Sequence, residues 1–158
     1  MKKTGCLVVL ASILFLTGRF SIAQDSWTSE QLQVLEAIER LSSATAPGGE
    51  GADAYAASLA EDFSRWTVGS KGTANNIEWI EGIREWFDDG WRVSDREIEF
   101  LEIRIRDDIA FVRRIVMESY VGPAAEKSTS KAALSEVWVR GTDGWLLLIV
   151  NVHPMDIP

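Results

Sequence analysis

The 158-residue chain carries 24 acidic against 16 basic side chains, a net charge of −8, and a single cysteine. That length suits one domain. The acidic balance argues against nucleic acid or anionic membrane as a partner, since both call for a basic face.

Residues 1–23 read as a secretory signal. Lys2 and Lys3 form a basic end, residues 6–16 are mostly apolar, and Ser21 and Ala23 are small residues two apart, which predicts cleavage after Ala23. The apolar run is short against the roughly 20 residues that span a bilayer; a retained anchor is the alternative. Cleavage would remove Lys2, Lys3, Arg19 and Cys6 and no acid, so 16 basic residues fall to 13 against 24 acidic ones, a net charge of −11. The expectation is one secreted or periplasmic domain over residues 24–158, free of the membrane once cleaved. Without Cys6 it has no disulfide, cysteine nucleophile or cysteine metal site.

Thr28 and Ser29 can cap a first helix reaching about residue 43, with Val34, Leu35, Ile38 and Leu41 on one face. Pro47, Gly48 and Gly49 break it. A second helix is predicted over 52–63, with Tyr55, Leu59 and Phe63 on one side, and 65–68 can form a short strand. Asn75 and Glu78 fit a capping box that opens a third helix through Phe87, striped by Ile77, Ile80, Ile83 and Phe87 and flanked by Trp79 and Trp86. The remainder reads as strands. Residues 97–106 alternate but switch apolar parity between Phe100 and Leu101, which predicts a bulge. Residues 109–121 form a long β-branched strand, 122–130 a loop and 132–140 another strand. Asp143-Gly144 signals a tight hairpin leading to a last strand over 145–153. Helices followed by strands predict an α+β domain, three N-terminal helices packed on one face of an antiparallel sheet.

With Asp143 and Gly144 as the turn, Thr142 faces Trp145, Arg140 faces Leu147, Trp138 faces Ile149, Glu136 faces Asn151 and Leu134 faces His153. These share one face, so Glu136, Asn151 and His153 gather at its far end. The other face carries Val137, Val139, Leu146, Leu148, Val150 and Val152. If 122–130 is a plain hairpin loop, Glu118 lies near Glu136 and Tyr120 near Leu134. Two carboxylates close together in an apolar cavity cannot both ionise easily, so one can serve as an acid. His153 titrates near neutral pH and can act as base or shuttle. Plainer roles remain open. Glu118 and Glu136 can be solvated or paired with Arg113, Arg114 or Arg140. His153 can be a surface histidine, Asp62 a helix-end cap, and Trp66, Trp79, Trp86 and Trp91 core. The single histidine and the lack of HExxH, EF-hand, GxSxG or glycine-rich phosphate motifs argue against a metal, a serine triad and a cofactor.

The element order, with LAEDFSRW closing the second helix, DDIAFVRR turning into the long strand, and EVWVRGTDGW followed by a strand ending in NVH, resembles the nuclear transport factor 2-like superfamily and its SnoaL-like group. The resemblance covers nearly all of residues 24–158. It implies a cone, a strongly bent sheet wrapped round the helices and enclosing a pocket, in a superfamily that includes isomerases, dehydratases, cyclases, epoxide hydrolases and non-catalytic assembly modules. It also implies that the face bearing Glu136 looks into the pocket. Asp62, Glu118, Glu136 and His153 then become the catalytic candidates, and Tyr55, Trp66, Tyr120 and Asn151 the substrate-binding ones, for a small apolar or amphipathic molecule. The stretch SRWTVGS has no carboxylate where ketosteroid isomerases of the superfamily place a general base. With the polar face inward, the apolar stripe faces outward and predicts a homodimer packed sheet to sheet.

Overall fold

The computed structural model describes residues 27–157; the signal expected over residues 1–23 lies outside them. The elements run α1 (Ser29–Ser43), α2 (Ala52–Ala56), β1 (Leu59–Thr67), β2 (Thr73–Asn75), α3 (Asn76–Asp88), β3 (Arg92–Arg106), β4 (Ile109–Val121), β5 (Lys127–Gly141) and β6 (Gly144–Met155). The six strands form one sheet in the order β2-β1-β6-β5-β4-β3. β1 runs parallel to β6 and the other neighbours are antiparallel. The sheet is therefore mixed, not antiparallel as expected, and two strands separate the second helix from the third.

Both long helices start where their sequences can satisfy free N–H groups. Thr28 Oγ1 accepts from Gln31 N while Gln31 Oε1 accepts from Thr28 N, and Asn75 and Glu78 exchange the same pair of bonds ahead of α3. α1 buries Val34, Ala37, Ile38 and Leu41. The second helix is one short turn, and Leu59 and Phe63 belong to β1 instead. A spacing of four satisfies both the helical period and the strand period of two, so these two residues alone do not discriminate. Pairing with β2 and β6 on either side decides for the strand.

α1 packs on β6 and also on β3, with β5 and β4 between them. One helix reaches strands three places apart only where the sheet curls round it. Gln31 Nε2 donates to the Ile103 carbonyl at 2.8 Å, and Val93 N donates to the Thr45 carbonyl at 3.0 Å, so both ends of α1 are pinned to β3. Register breaks supply the bend: β3 shifts against β4 between Phe100 and Glu102, as the parity switch predicts, and again between Val93 and Asp95.

The final hairpin differs from its expected register. Gly141 pairs with Gly144, which makes Thr142-Asp143 the turn, and Gly144 takes φ 127, open to glycine. Trp138 then pairs with Leu147 but Val137 with Ile149, so Leu148 is bulged out. One inserted residue reverses every side chain beyond it. Val150 and Val152 join Glu136 on the inner, buried face, whereas Asn151 and His153 turn to the outer face. Val137, Val139 and Leu146 stay on the outer face as expected, whereas Val150 and Val152 leave it and Ile149 joins it. Phe111, Val137 and Ile149 lie in one row across β4, β5 and β6, with Phe111 51% and Ile149 38% exposed.

Candidate functional site

Between the inner face of the sheet and the helices lies a cavity of about 430 Å³. Leu41 from α1, Ile83 and Trp86 from α3, and Val93, Val116, Leu134, Leu147, Val150 and Val152 from the sheet form its apolar walls. Three polar groups interrupt them.

The first is an ion pair. Glu136 on β5 is cross-strand partner to Val112 on β4, which sets Arg114 diagonally beside it on the same face. Arg114 Nη2 donates to Glu136 Oε1 at 2.8 Å, and Arg114 Nε lies 3.2 and 3.3 Å from the two carboxylate oxygens. Two residues along β5, the Trp138 indole N–H donates to Oε2 at 3.0 Å. Arg114 is 5% and Glu136 3% exposed.

The second group is built on direct register between β3 and β4, where Arg96 faces Glu118. Arg96 Nε donates to Glu118 Oε1 at 2.6 Å, and its other nitrogens donate to the Ser42 carbonyl at 2.7 Å and Thr45 Oγ1 at 2.8 Å. The guanidinium thus closes the C-terminal end of α1, where free carbonyls favour a cation. Tyr120 donates to Glu118 Oε2 at 2.6 Å. Its phenol is pushed up to about 12, first by burial and then by the Glu118 charge, which opposes a second anion beside it.

The third group comes from α2, β1 and α3. The Trp79 indole N–H donates to Tyr55 Oη at 3.2 Å, and the Arg65 guanidinium carbon stands 4.2 Å from the Trp79 ring centroid. Burial raises the Tyr55 phenol above its ordinary value, outweighing the Trp79 hydrogen bond and the Arg65 charge, which lower it. Burial also draws the Arg65 guanidinium below its ordinary value. Among the described residues the Arg65 guanidinium has no carboxylate partner.

Of the residues singled out in the sequence, Tyr55, Glu118, Tyr120 and Glu136 meet in this cavity, and Asp62, Trp66, Asn151 and His153 do not line it. Asp62 is exposed on β1, because that segment is strand and not helix end. Trp66 alternates with Arg65 and points away, its indole N–H reaching the Ser70 carbonyl at 3.5 Å. Asn151 and His153 are turned outward by the bulge at Leu148, and His153 is exposed. Glu118 pairs with Ser130, and Tyr120 with Ser128, because the turn between β4 and β5 closes within 122–126 and β5 begins at Lys127. Glu118 and Glu136 are therefore not cross-strand neighbours, and each is paired with its own arginine. Arg65 and Arg96 went unnoticed as site residues; their signal was a charge at a strand position that otherwise faces the core.

The mixed six-stranded sheet with its few helices defines an α+β domain of the nuclear transport factor 2-like, cystatin-like fold. Solved structures bear this out. One is a protein assigned as a Ca/calmodulin-dependent kinase II association domain from Exiguobacterium sibiricum, at 15% identity and TM-score 0.68 over 84% of this chain and 98% of the other. Another is a ketosteroid isomerase-like protein from Erwinia carotovora atroseptica, at 16% identity and TM-score 0.65 over 83% of this chain and 100% of the other. A third is an NTF2-like protein with a cystatin-like fold from Novosphingobium aromaticivorans, at 18% identity and TM-score 0.60 over 82% and 84%. No protein-family model matches the sequence, and no curated protein does.

Proposed function

We propose that the chain is an exported domain whose inner cavity holds a small amphipathic molecule. The supporting observation is the cavity itself: about 430 Å³, walled by aliphatic and aromatic side chains and carrying a few buried, geometrically fixed polar groups, the composition of a small-molecule site. Binding is favoured over proton transfer because both cavity carboxylates are engaged by donors, Glu136 by Arg114 and Trp138 and Glu118 by Arg96 and Tyr120. A thermal-shift screen of the purified protein against a small-metabolite library tests the reading. A ligand at about a hundred times its Kd adds about 2.7 kcal/mol; a library in which no compound raises the melting temperature would count against it. Export through residues 1–23 is tested by N-terminal sequencing of the protein recovered outside the cytoplasm, with Gln24 expected first.

A second reading is favoured by the outward row of Phe111, Val137 and Ile149, large apolar side chains on a sheet face. Covering that face with a second copy would make the domain a homodimeric assembly module, in keeping with the association-domain likeness among its fold neighbours. Light scattering at micromolar concentration should give twice the monomer mass, and Phe111→Glu should halve it. A monomer in the parent protein sinks this reading and leaves the cavity untouched.

A further inference from the structure

The charges around the cavity do not balance. Arg65, Arg96 and Arg114 line it with two carboxylates, Glu118 and Glu136. Arg96 is engaged by Glu118 and Arg114 by Glu136, which leaves the Arg65 guanidinium as an excess cation in a chain whose net charge is −8. Arg65 is half-buried, and a cation partly withdrawn from water without a carboxylate partner is unfavourable, which is the direction in which burial moves it.

Its surroundings are set up for an anion. The Arg65 guanidinium carbon lies 4.2 Å from the Trp79 ring centroid, a cation–π contact that leaves guanidinium N–H groups for an acceptor such as a carboxylate. Tyr55 accepts the Trp79 indole N–H, so its own O–H remains free to donate. Burial keeps that phenol protonated to higher pH than usual. One surplus positive charge matches a monoanion better than a phosphate monoester, and the rest of the wall is aliphatic and aromatic.

We infer that the ligand of this cavity carries a carboxylate on an apolar body, and that Arg65, stacked on Trp79 and assisted by the Tyr55 hydroxyl, is the residue that receives the carboxylate. This rests on the cavity being a ligand site, as proposed above.

The test compares matched pairs differing only in charge: benzoate with benzamide, 4-phenylbutyrate with 4-phenylbutyramide, and decanoate with decanamide. Each is titrated into the purified protein while tryptophan fluorescence and melting temperature are followed, since Trp79 and Trp86 line the cavity. At least one acid should bind roughly 10- to 100-fold more tightly than its amide, the ratio expected for a charge-assisted bond. Arg65→Met, which keeps the stem over Trp79, should bring the acid down to the affinity of its amide. If acids and amides bind the parent protein equally, the inference falls and the cavity reading stands. An acid preference that survives in Arg65→Met also overturns it, by moving the anchor elsewhere. If no acid and no amide binds up to about 10 mM, an affinity weaker than about −3 kcal/mol, the cavity reading and the inference fall together. The acid-to-amide ratio in the parent protein decides the matter even if the variant does not fold.

Discussion

Replacing Glu136 by Gln should unfold the domain more readily than any change of similar size on its surface. The substitution removes one charge and almost no volume, so packing is not at issue. It leaves Arg114, 5% exposed, without the carboxylate that meets it at 2.8 Å. Breaking a buried pair by removing one partner costs about 3–5 kcal/mol, because the remaining charge is uncompensated. Against a total stability of roughly 5–15 kcal/mol that is a large fraction, and at this chain length it corresponds to a fall in melting temperature of about 10–20 °C. Arg114→Met should cost a comparable amount by stranding Glu136, which would keep only the Trp138 indole. The double variant Arg114→Met with Glu136→Leu removes both charges and should recover at least about 2 kcal/mol relative to the sum of the single changes. Thermal and urea unfolding of the four proteins measures this cycle. A Glu136→Gln protein within about 1 kcal/mol of the parent would refute the reasoning, since it would mean that water reaches Arg114.

Both tyrosines of the chain, Tyr55 and Tyr120, have phenols raised by burial. Absorbance titration of the native protein should therefore show little tyrosinate at pH 10, whereas the urea-unfolded chain is half ionised there. A native titration centred on pH 10 would remove the physical basis given for the Glu118–Tyr120 bond. A phenol raised in the folded state contributes stability below its unfolded value and loses it as pH climbs through the folded value, so stability should decline between about pH 10 and 12, and Tyr120→Phe should weaken that decline. The bulge at Leu148 is tested by a pair of neighbours. Val150→Asp buries an unpaired charge and should abolish cooperative unfolding, whereas Asn151→Asp should stay within about 0.5 kcal/mol of the parent; the opposite ranking would restore the simple hairpin register.

The long strand β4 was legible to the residue, because it is rich in β-branched residues and its ends are marked by Asp107-Asp108 and Gly122-Pro123. The cap at Thr28, the capping box of Asn75 and Glu78 and the bend at Leu101 were legible for similar reasons: each is a local pattern with a local cause. The inner face of β4 and β5 was legible too, since Glu118, Tyr120 and Glu136 keep the same parity whether the turn at 122–130 is long or short, provided it changes by an even number of residues. The last strand was not. Trp145, Leu146, Leu147, Leu148, Ile149 and Val150 are apolar without interruption, so no alternation reveals an inserted residue, and the bulge at Leu148 carried Asn151 and His153 to the opposite face unseen. Arg65 was hidden by a different ambiguity. Leu59 and Phe63 fit a helix as well as a strand, and only in a strand does Arg65 fall on the side of Phe63 and Trp66 on the other.

The same reassignment bears on what the cavity can do. SRWTVGS looked deficient because it lacks the carboxylate that an isomerase of this fold would use as a base. In β1 that stretch supplies Arg65 instead, a cation where a base was sought. A guanidinium stays protonated near neutral pH, and His153 lies outside the cavity. Glu118 and Glu136 are each held by an arginine and a second donor, so either would have to give up hydrogen bonds before taking a proton from a substrate. The cavity carboxylates are thus held in fixed orientation by their partners, while Arg65 has none among the described residues. That arrangement suits holding an anion in place.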